Sequence, residues 1–121
     1  MINEKVVSKD MALKLKEAGY EQDGKWWWVL YNSEMGGNGI YFLTNNYDVQ
    51  EHIFPAIAPT ELELQRKLSI DHVSYMGKTL DEGCYRIDVR CEGHSEVMIL
   101  ADTEANCRAK AWIHLKKKGL M

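Results

Sequence analysis

The side chains of this sequence with the most versatile chemistry are its four histidines and three cysteines. Cys91 and His94 have the spacing of two zinc ligands, and Cys84 lies seven residues before Cys91. A structural zinc site needs four ligands, normally arranged as two close pairs. The second pair is missing, because Cys107 stands alone and His114 follows it two helical turns later. We therefore predict no metal site and no cofactor.

Catalytic groups are equally hard to assign. A cysteine or serine nucleophile needs a base, and the base needs an orienting group, but the sequence holds no such motif. The carboxylate pairs Glu61/Glu63 and Asp81/Glu82 stand where helix capping and turns account for them. The glycine-rich stretch Gly36–Gly39 leads into a strand without a neighbouring lysine, unlike a phosphate-binding loop. No catalytic residue is assigned, and a small enzyme is the least favoured function.

A polar stripe marks the last predicted helix. Four residues recur at helical spacing on one face: Asn106, Lys110, His114 and Lys117. The preceding order α-β-β-β-α resembles that of double-stranded-RNA-binding domains, which contact phosphates from basic residues at the start of their last helix. This sequence has Asp102 and Glu104 at that point, and acids repel phosphate. The stripe is a candidate nucleic-acid contact, with a solvated helix face as the simpler interpretation.

A run of aromatic residues predicts a strand that is apolar on both faces. Adjacent side chains of a strand point to opposite faces, so Trp27 cannot share a face with Trp26 and Trp28. A large exposed apolar patch is unusual on a monomer, and aromatic residues are enriched at binding hot spots. Two interpretations stay open: an internal core on both faces, or a protein interface formed by Trp26, Trp27, Trp28 and Tyr31.

Three helices and five strands are predicted to position these residues. The helices span about Ser8–Ala18, Thr60–Ile70 and Thr103–Lys118, each beginning at a capping residue. The strands span about Trp26–Tyr31, Ile40–Thr44, His72–Met76, Cys84–Cys91 and Glu96–Ala101, while residues 49–59 stay ambiguous. The order α-β-β-α-β-β-β-α predicts one α+β domain over residues 1–121, a mainly antiparallel sheet with helices on one face. The expected core comprises Leu15, Leu64, Leu68, Ile87, Val89, Ile99, Trp112 and Ile113.

Composition narrows the classes of protein. The chain has 121 residues, 45% of them hydrophobic, and a formal net charge of −3, so it lacks the basic surplus of a dedicated nucleic-acid binder. It has no apolar run of the roughly 18 residues that a membrane helix needs, so we predict no membrane partner. The stretch Met1–Val6 does not read as a signal peptide, and an odd number of cysteines without a C-x-x-C pair fits a cytoplasmic protein.

Three segments carry a resemblance to a known family: Val7–Ala12, Ile57–Arg66 and Leu100–Leu115. Together they resemble a family of small uncharacterised proteins encoded in phages, prophages and mobile elements of gut bacteria. The resemblance implies a genomic context and no reaction or site residue. With the composition, it leads us to expect a non-catalytic protein-binding module that takes a protein partner or self-associates. A nucleic-acid-binding module is the alternative, and a small enzyme is third.

Overall fold

A computed structural model describes residues 5–31, 40–45, 53–68, 73–78, 84–90 and 97–119. Its three helices are α1 (Lys9–Glu17), α2 (Glu61–Lys67) and α3 (Glu104–Lys117). Its six strands are β1 (Trp27–Tyr31), β2 (Ile40–Thr44), β3 (Ile53–Ile57), β4 (Val73–Lys78), β5 (Tyr85–Val89) and β6 (Val97–Ala101). The predicted α+β class is confirmed, and the predicted order gains one strand, β3.

The first sheet has the strand order β2-β1-β3, and both pairings are antiparallel. The predicted hairpin is confirmed by the register of β1 and β2, in which Trp27 pairs with Thr44 and Tyr31 with Ile40. Strand β3 lies on the other side of β1 and contains Pro55. Proline cannot donate to a ladder and is tolerated on an edge strand, which explains why the sequence pattern there is ambiguous.

The second sheet has the order β4-β5-β6 and is antiparallel throughout, as predicted. The central strand β5 alternates as expected, because Ile87 and Val89 are buried. On the opposite face, the Nε of Arg86 lies 2.9 Å from Oδ1 of Asp88. This alternation places the apolar face of β5 against α3.

Helix α3 packs against the most elements. It contacts β5 and β6 on one side and α1 and α2 on others. Eight of its residues are buried: Ala105, Asn106, Cys107, Arg108, Ala109, Ala111, Trp112 and Leu115. Small alanine and cysteine side chains let neighbouring elements approach closely, so much of the circumference of this helix is covered.

Helix α1 has the predicted boundaries. The side chain of Ser8 accepts a hydrogen bond from the N–H of Met11, and the helix ends before Gly19, whose φ is +94°. The N–H of Tyr20 then donates to the carbonyl of Leu15 at 2.9 Å, which closes the C-terminal turn. Because α1 contacts both β3 and α3, it connects the first sheet to the last helix.

Helix α2 begins with the predicted capping box, in which the side chains of Thr60 and Glu63 each bond the other's backbone N–H. It ends at Lys67, three residues before the predicted end, because Leu68 leaves the helix in an extended conformation. Of the eight predicted core residues, seven are buried. The exception is Ile113, which is half-buried because it lies beside an open cleft.

Candidate functional site: a basic cleft between two helices

A cleft of about 880 Å³ lies between α1 and α3. Its lining residues come from these two helices and the residue that caps α1: Met11, Lys14, Glu17, Ala18, Lys110, Ile113, His114, Lys116 and Lys117. Sites that enclose compact ligands have volumes of roughly 300–1,000 Å³. The cleft is therefore large enough for a small molecule or for a few side chains of a partner.

Positive charge dominates the lining of the cleft. Four lysines face one carboxylate, that of Glu17, although the whole chain has a net charge of −3. All five of these charged residues are exposed. A concave surface with one dominant sign of charge focuses the electrostatic field and attracts ions of opposite sign. The cleft therefore favours an anionic ligand.

Helix termini account for part of this charge. The beginnings of α1 and α3 meet where Ser8 bonds Asn106, and near their ends the Lys116 side chain lies beside Gly19. The two C-terminal ends therefore lie together, and both last turns are basic. Each C-terminal end carries about half a negative charge, so the two together offset about one lysine. Four lysines exceed that requirement, and the surplus is left for a ligand.

The base of the cleft is apolar. Met11 belongs to the buried core, while Ala18 and Ile113 are partly buried and pack against it. The charged side chains thus surround an apolar surface that is continuous with the hydrophobic core. An anionic ligand with an apolar portion would meet both kinds of surface.

Contacts with neighbouring groups position the ammonium groups of two of these lysines, Lys110 and Lys116. The Nζ of Lys110 donates a 3.0 Å hydrogen bond to the carbonyl oxygen of Leu100, at the end of β6. The Nζ of Lys116 lies 5.9 Å from the centre of the Trp112 ring. Both contacts use flexible side chains that are exposed at their ends, so each ammonium group remains close to the cleft and can turn toward a ligand.

His114 contributes a polar atom without a partner. Its Nε2 is buried and forms no hydrogen bond with any residue that the structure describes. Buried polar atoms are hydrogen-bonded in the great majority of cases. His114 lines the cleft between Lys110 and Lys117 on the helix face, but the buried Nε2 is not the part of the ring that is open to a ligand.

Asn106 has a different role from the one expected of it. Its side chain is only 8% exposed, so its predicted place on an exposed contact stripe is wrong. Oδ1 accepts from the N–H of Ser8 at 2.9 Å, and Nδ2 donates to Oδ1 of Asp102 at 3.0 Å. The beginning of α1 covers this first turn of α3, which helical spacing alone does not reveal. The other three stripe residues, Lys110, His114 and Lys117, all line the cleft.

The sequence analysis assigns no functional role to several residues of the cleft. Lys14, Glu17 and Lys116 are added by the structure. Lys14 and Glu17 belong to α1, and no local pattern pairs this helix with α3, almost a hundred residues later. Basic residues in the last turns of both helices were the available signal, but they are also common helix C-terminal features.

The tryptophans of the predicted interface are half-buried and pack against the core. The Nε1 of Trp28 donates to the carbonyl of Val7 at 2.8 Å, and the Nε1 of Trp27 donates to the carbonyl of Gly24 at 3.2 Å. Val29, between Trp28 and the end of β1, is fully buried. The side chain of Tyr31 lies outside the part that the structure describes. The indoles thus hold neighbouring segments in place, and their part in an interface stays a prediction.

Cys107 is part of the core. Its Sγ donates to the carbonyl of Ile99 at 3.3 Å, and burial raises its pKa to about 11. A reactive cysteine requires the opposite shift, because the thiolate is the nucleophile. Within the described ranges, no group of three or more histidine, cysteine or acidic side chains is placed to hold a metal ion. Cys91 and His94 lie outside those ranges.

Comparison with known proteins adds no assignment: the sequence matches no protein-family model, no curated protein and no solved structure. The expected origin in a phage or mobile element therefore stays a prediction. In the described part of the chain, no helix has the length and apolar character needed to cross a membrane. Function must be argued from the cleft itself.

Proposed function

We propose that this protein is a non-catalytic binding module that holds an anionic partner in the cleft between α1 and α3. The observation that carries the proposal is the gathering of four lysines around one concavity whose described lining contains a single carboxylate. The net charge of the chain is negative, so this concentration of positive charge does not follow from composition.

The expected strength of such binding can be bounded. An exposed ion pair contributes about 0.2–1 kcal/mol, so four lysines together contribute roughly 1–4 kcal/mol. That free energy corresponds to a change in affinity of roughly 5-fold to 1,000-fold. Charge alone would give weak binding that declines with salt, and tight binding requires the apolar base as well.

The chemistry of the Cys107 thiol supports a binding role for the protein. Burial holds Cys107 in its protonated form, where it is a poor nucleophile. Its hydrogen bond to Ile99 and its place in the core account for it structurally. The group at the cleft that is best suited to acid–base chemistry is His114, and the described lining places no serine, threonine or cysteine beside it.

A nucleic-acid partner is the second candidate. The observation that favours it is that Lys110, His114 and Lys117, three of the four residues predicted to contact phosphate, line this one cleft. Phosphate and carboxylate are both attracted to lysine, so charge does not separate the two candidates. The uncharged side chains and the shape of the cleft must therefore distinguish a carboxylate-bearing partner from a nucleic acid.

Binding of labelled anionic probes would test the proposal. Fluorescence anisotropy would compare oligoglutamate and a single-stranded oligonucleotide of equal charge at about 50 and about 300 mM salt. The cleft variant is Lys14→Glu combined with Lys117→Glu. Its matched control is Lys25→Glu combined with Arg66→Glu, because both of these exposed cations lie outside the cleft lining.

We expect the wild-type protein and the control variant to bind at least one probe with similar affinity. The cleft variant should lose about tenfold or more, because two attractive contacts become repulsive. Circular dichroism would verify that both variants are folded. Equal losses in the two variants, or binding that is insensitive to salt, would contradict the proposal.

A further inference from the structure

We infer that the partner of the cleft is an acidic peptide segment with apolar side chains between its carboxylates. This inference rests on the proposed function and names the class of partner. Lysines at the edge would contact the carboxylates, while Met11 and Ile113 would contact the apolar side chains.

The apolar base is the first argument. Ile113 is a large aliphatic residue that the fold leaves half-buried, although the sequence pattern predicts it to be core. It lies beside Ala18 and Met11, which come from the segment that contains α1. Burying one leucine-sized side chain there would strengthen binding by roughly 10-fold to 150-fold. A ligand that is anionic throughout would leave this surface unused.

The side chains that nucleic acids require are the second argument. Single strands are held by stacking of bases on aromatic or arginine planes. The described lining of the cleft contains neither an aromatic ring of that kind nor an arginine, apart from the imidazole of His114.

The shape of the cleft is the third argument. A protein–DNA interface, even for a single module, buries about 600–1,000 Å² of protein surface along an extended groove. The cleft is instead a single concavity of about 880 Å³ between residues 11–18 of one helix segment and residues 110–117 of the other. This space suits a few side chains of a helical turn or of a short extended peptide. Glu17 at its edge would repel a continuous row of phosphates, whereas a peptide can place an uncharged residue there.

Three probes of equal negative charge would test the inference. The first is a peptide in which glutamate alternates with leucine, the second replaces leucine with serine, and the third is a single-stranded oligonucleotide. The diagnostic variant is Ile113→Thr, which keeps the branch at Cβ but replaces the ethyl arm with a hydroxyl. Its control is Leu62→Thr, since Leu62 is 53% exposed and lies outside the cleft.

The wild-type protein should bind the glutamate–leucine peptide about 10-fold or more tighter than the glutamate–serine peptide. Ile113→Thr should reduce that preference several-fold, measured on protein shown to be folded, while Leu62→Thr leaves it unchanged. Equal affinity for the two peptides, or tighter binding of the oligonucleotide, would overturn the inference. In that case, sensitivity to Lys14→Glu with Lys117→Glu would still support the proposed function. Absence of that sensitivity for all three probes would overturn both.

Discussion

The side chain of Asn106 and the backbone of Ser8 are joined by a 2.9 Å hydrogen bond, in which the N–H of Ser8 donates to Oδ1. The bond joins the cap of the first helix to the first turn of the last helix. Asp102 accepts from the other end of the amide and fixes its orientation. Because both helices begin here and the cleft lies further along them, this contact sets how the walls of the cleft are placed.

Replacing Asn106 with alanine should lower the free energy of unfolding by about 1–3 kcal/mol, because its amide loses two partly buried hydrogen bonds, to Ser8 and Asp102, each worth roughly 0.5–1.5 kcal/mol. Urea denaturation would measure the loss. Lys117→Ala is the control, since Lys117 is exposed on the same helix. A loss for Asn106→Ala no larger than that of the control would show that the bond contributes little.

Two isoleucines should differ in their contribution to stability. Ile87→Ala removes a fully buried side chain of β5 and should cost about 2–5 kcal/mol. Ile113→Ala should cost less, about 1 kcal/mol, because half-exposed Ile113 leaves less of a cavity. Chemical denaturation of both variants would check the contrast. Equal losses would mean that the cleft is closed in solution.

The protein should become less stable in alkaline solution, because two buried side chains, Cys107 and Tyr20, resist losing their protons in the folded state. Burial raises the pKa of Cys107 from 9.0 to about 11, and burial together with Glu63 and Glu21 raises that of Tyr20 from 10.0 to about 12. The unfolded chain loses these protons first, so the stability they provide is complete below pH 9.0 and falls as the pH rises toward 12.

Denaturation midpoints at successive pH values would measure that decline. Cys107→Ala and Tyr20→Phe should each give a shallower decline than the wild-type protein, Cys107→Ala from about pH 9 and Tyr20→Phe from about pH 10. Parallel curves for all three proteins would exclude these groups as the cause.

Glu61, on α2, should make the stability of the protein depend on pH in a lower, acidic to neutral range. Burial, followed by a hydrogen bond to Glu104 and the charge of that residue, raises the pKa of Glu61. The unfolded state therefore releases this proton first, and the contribution of Glu61 to stability falls as the pH rises above 4.5. Glu61→Gln should remove this fall, so the variant should gain stability relative to the wild-type protein as the pH rises above 4.5. A constant difference between the two proteins would contradict the raised pKa.

Local patterns in the sequence predicted most of the elements. Ser8 and Gly19 mark the ends of α1, and alternation along β5 identifies its buried face. Strand β3 is harder to predict because Pro55 breaks the pattern of a paired strand, and only its place at a sheet edge makes the residue acceptable.

The candidate site depends on contacts that no local pattern contains. Helical spacing groups Lys110, His114 and Lys117 correctly, since all three lie on one face of α3. It also includes Asn106, which is wrong because α1 covers that turn. Lys14 joins the site only through the packing of α1 against α3, and this packing is a tertiary contact between distant segments.

The cleft has one wall from the beginning of the chain and one from residues 110–117. During synthesis on the ribosome, α1 emerges before α3, so the proposed binding cleft forms only after α3 has been synthesised. A product that stops before α3 lacks the lysines of the second wall and also the Asn106 partner of Ser8. If the cleft binds as proposed, a polypeptide that stops before α3 should therefore not bind the partner.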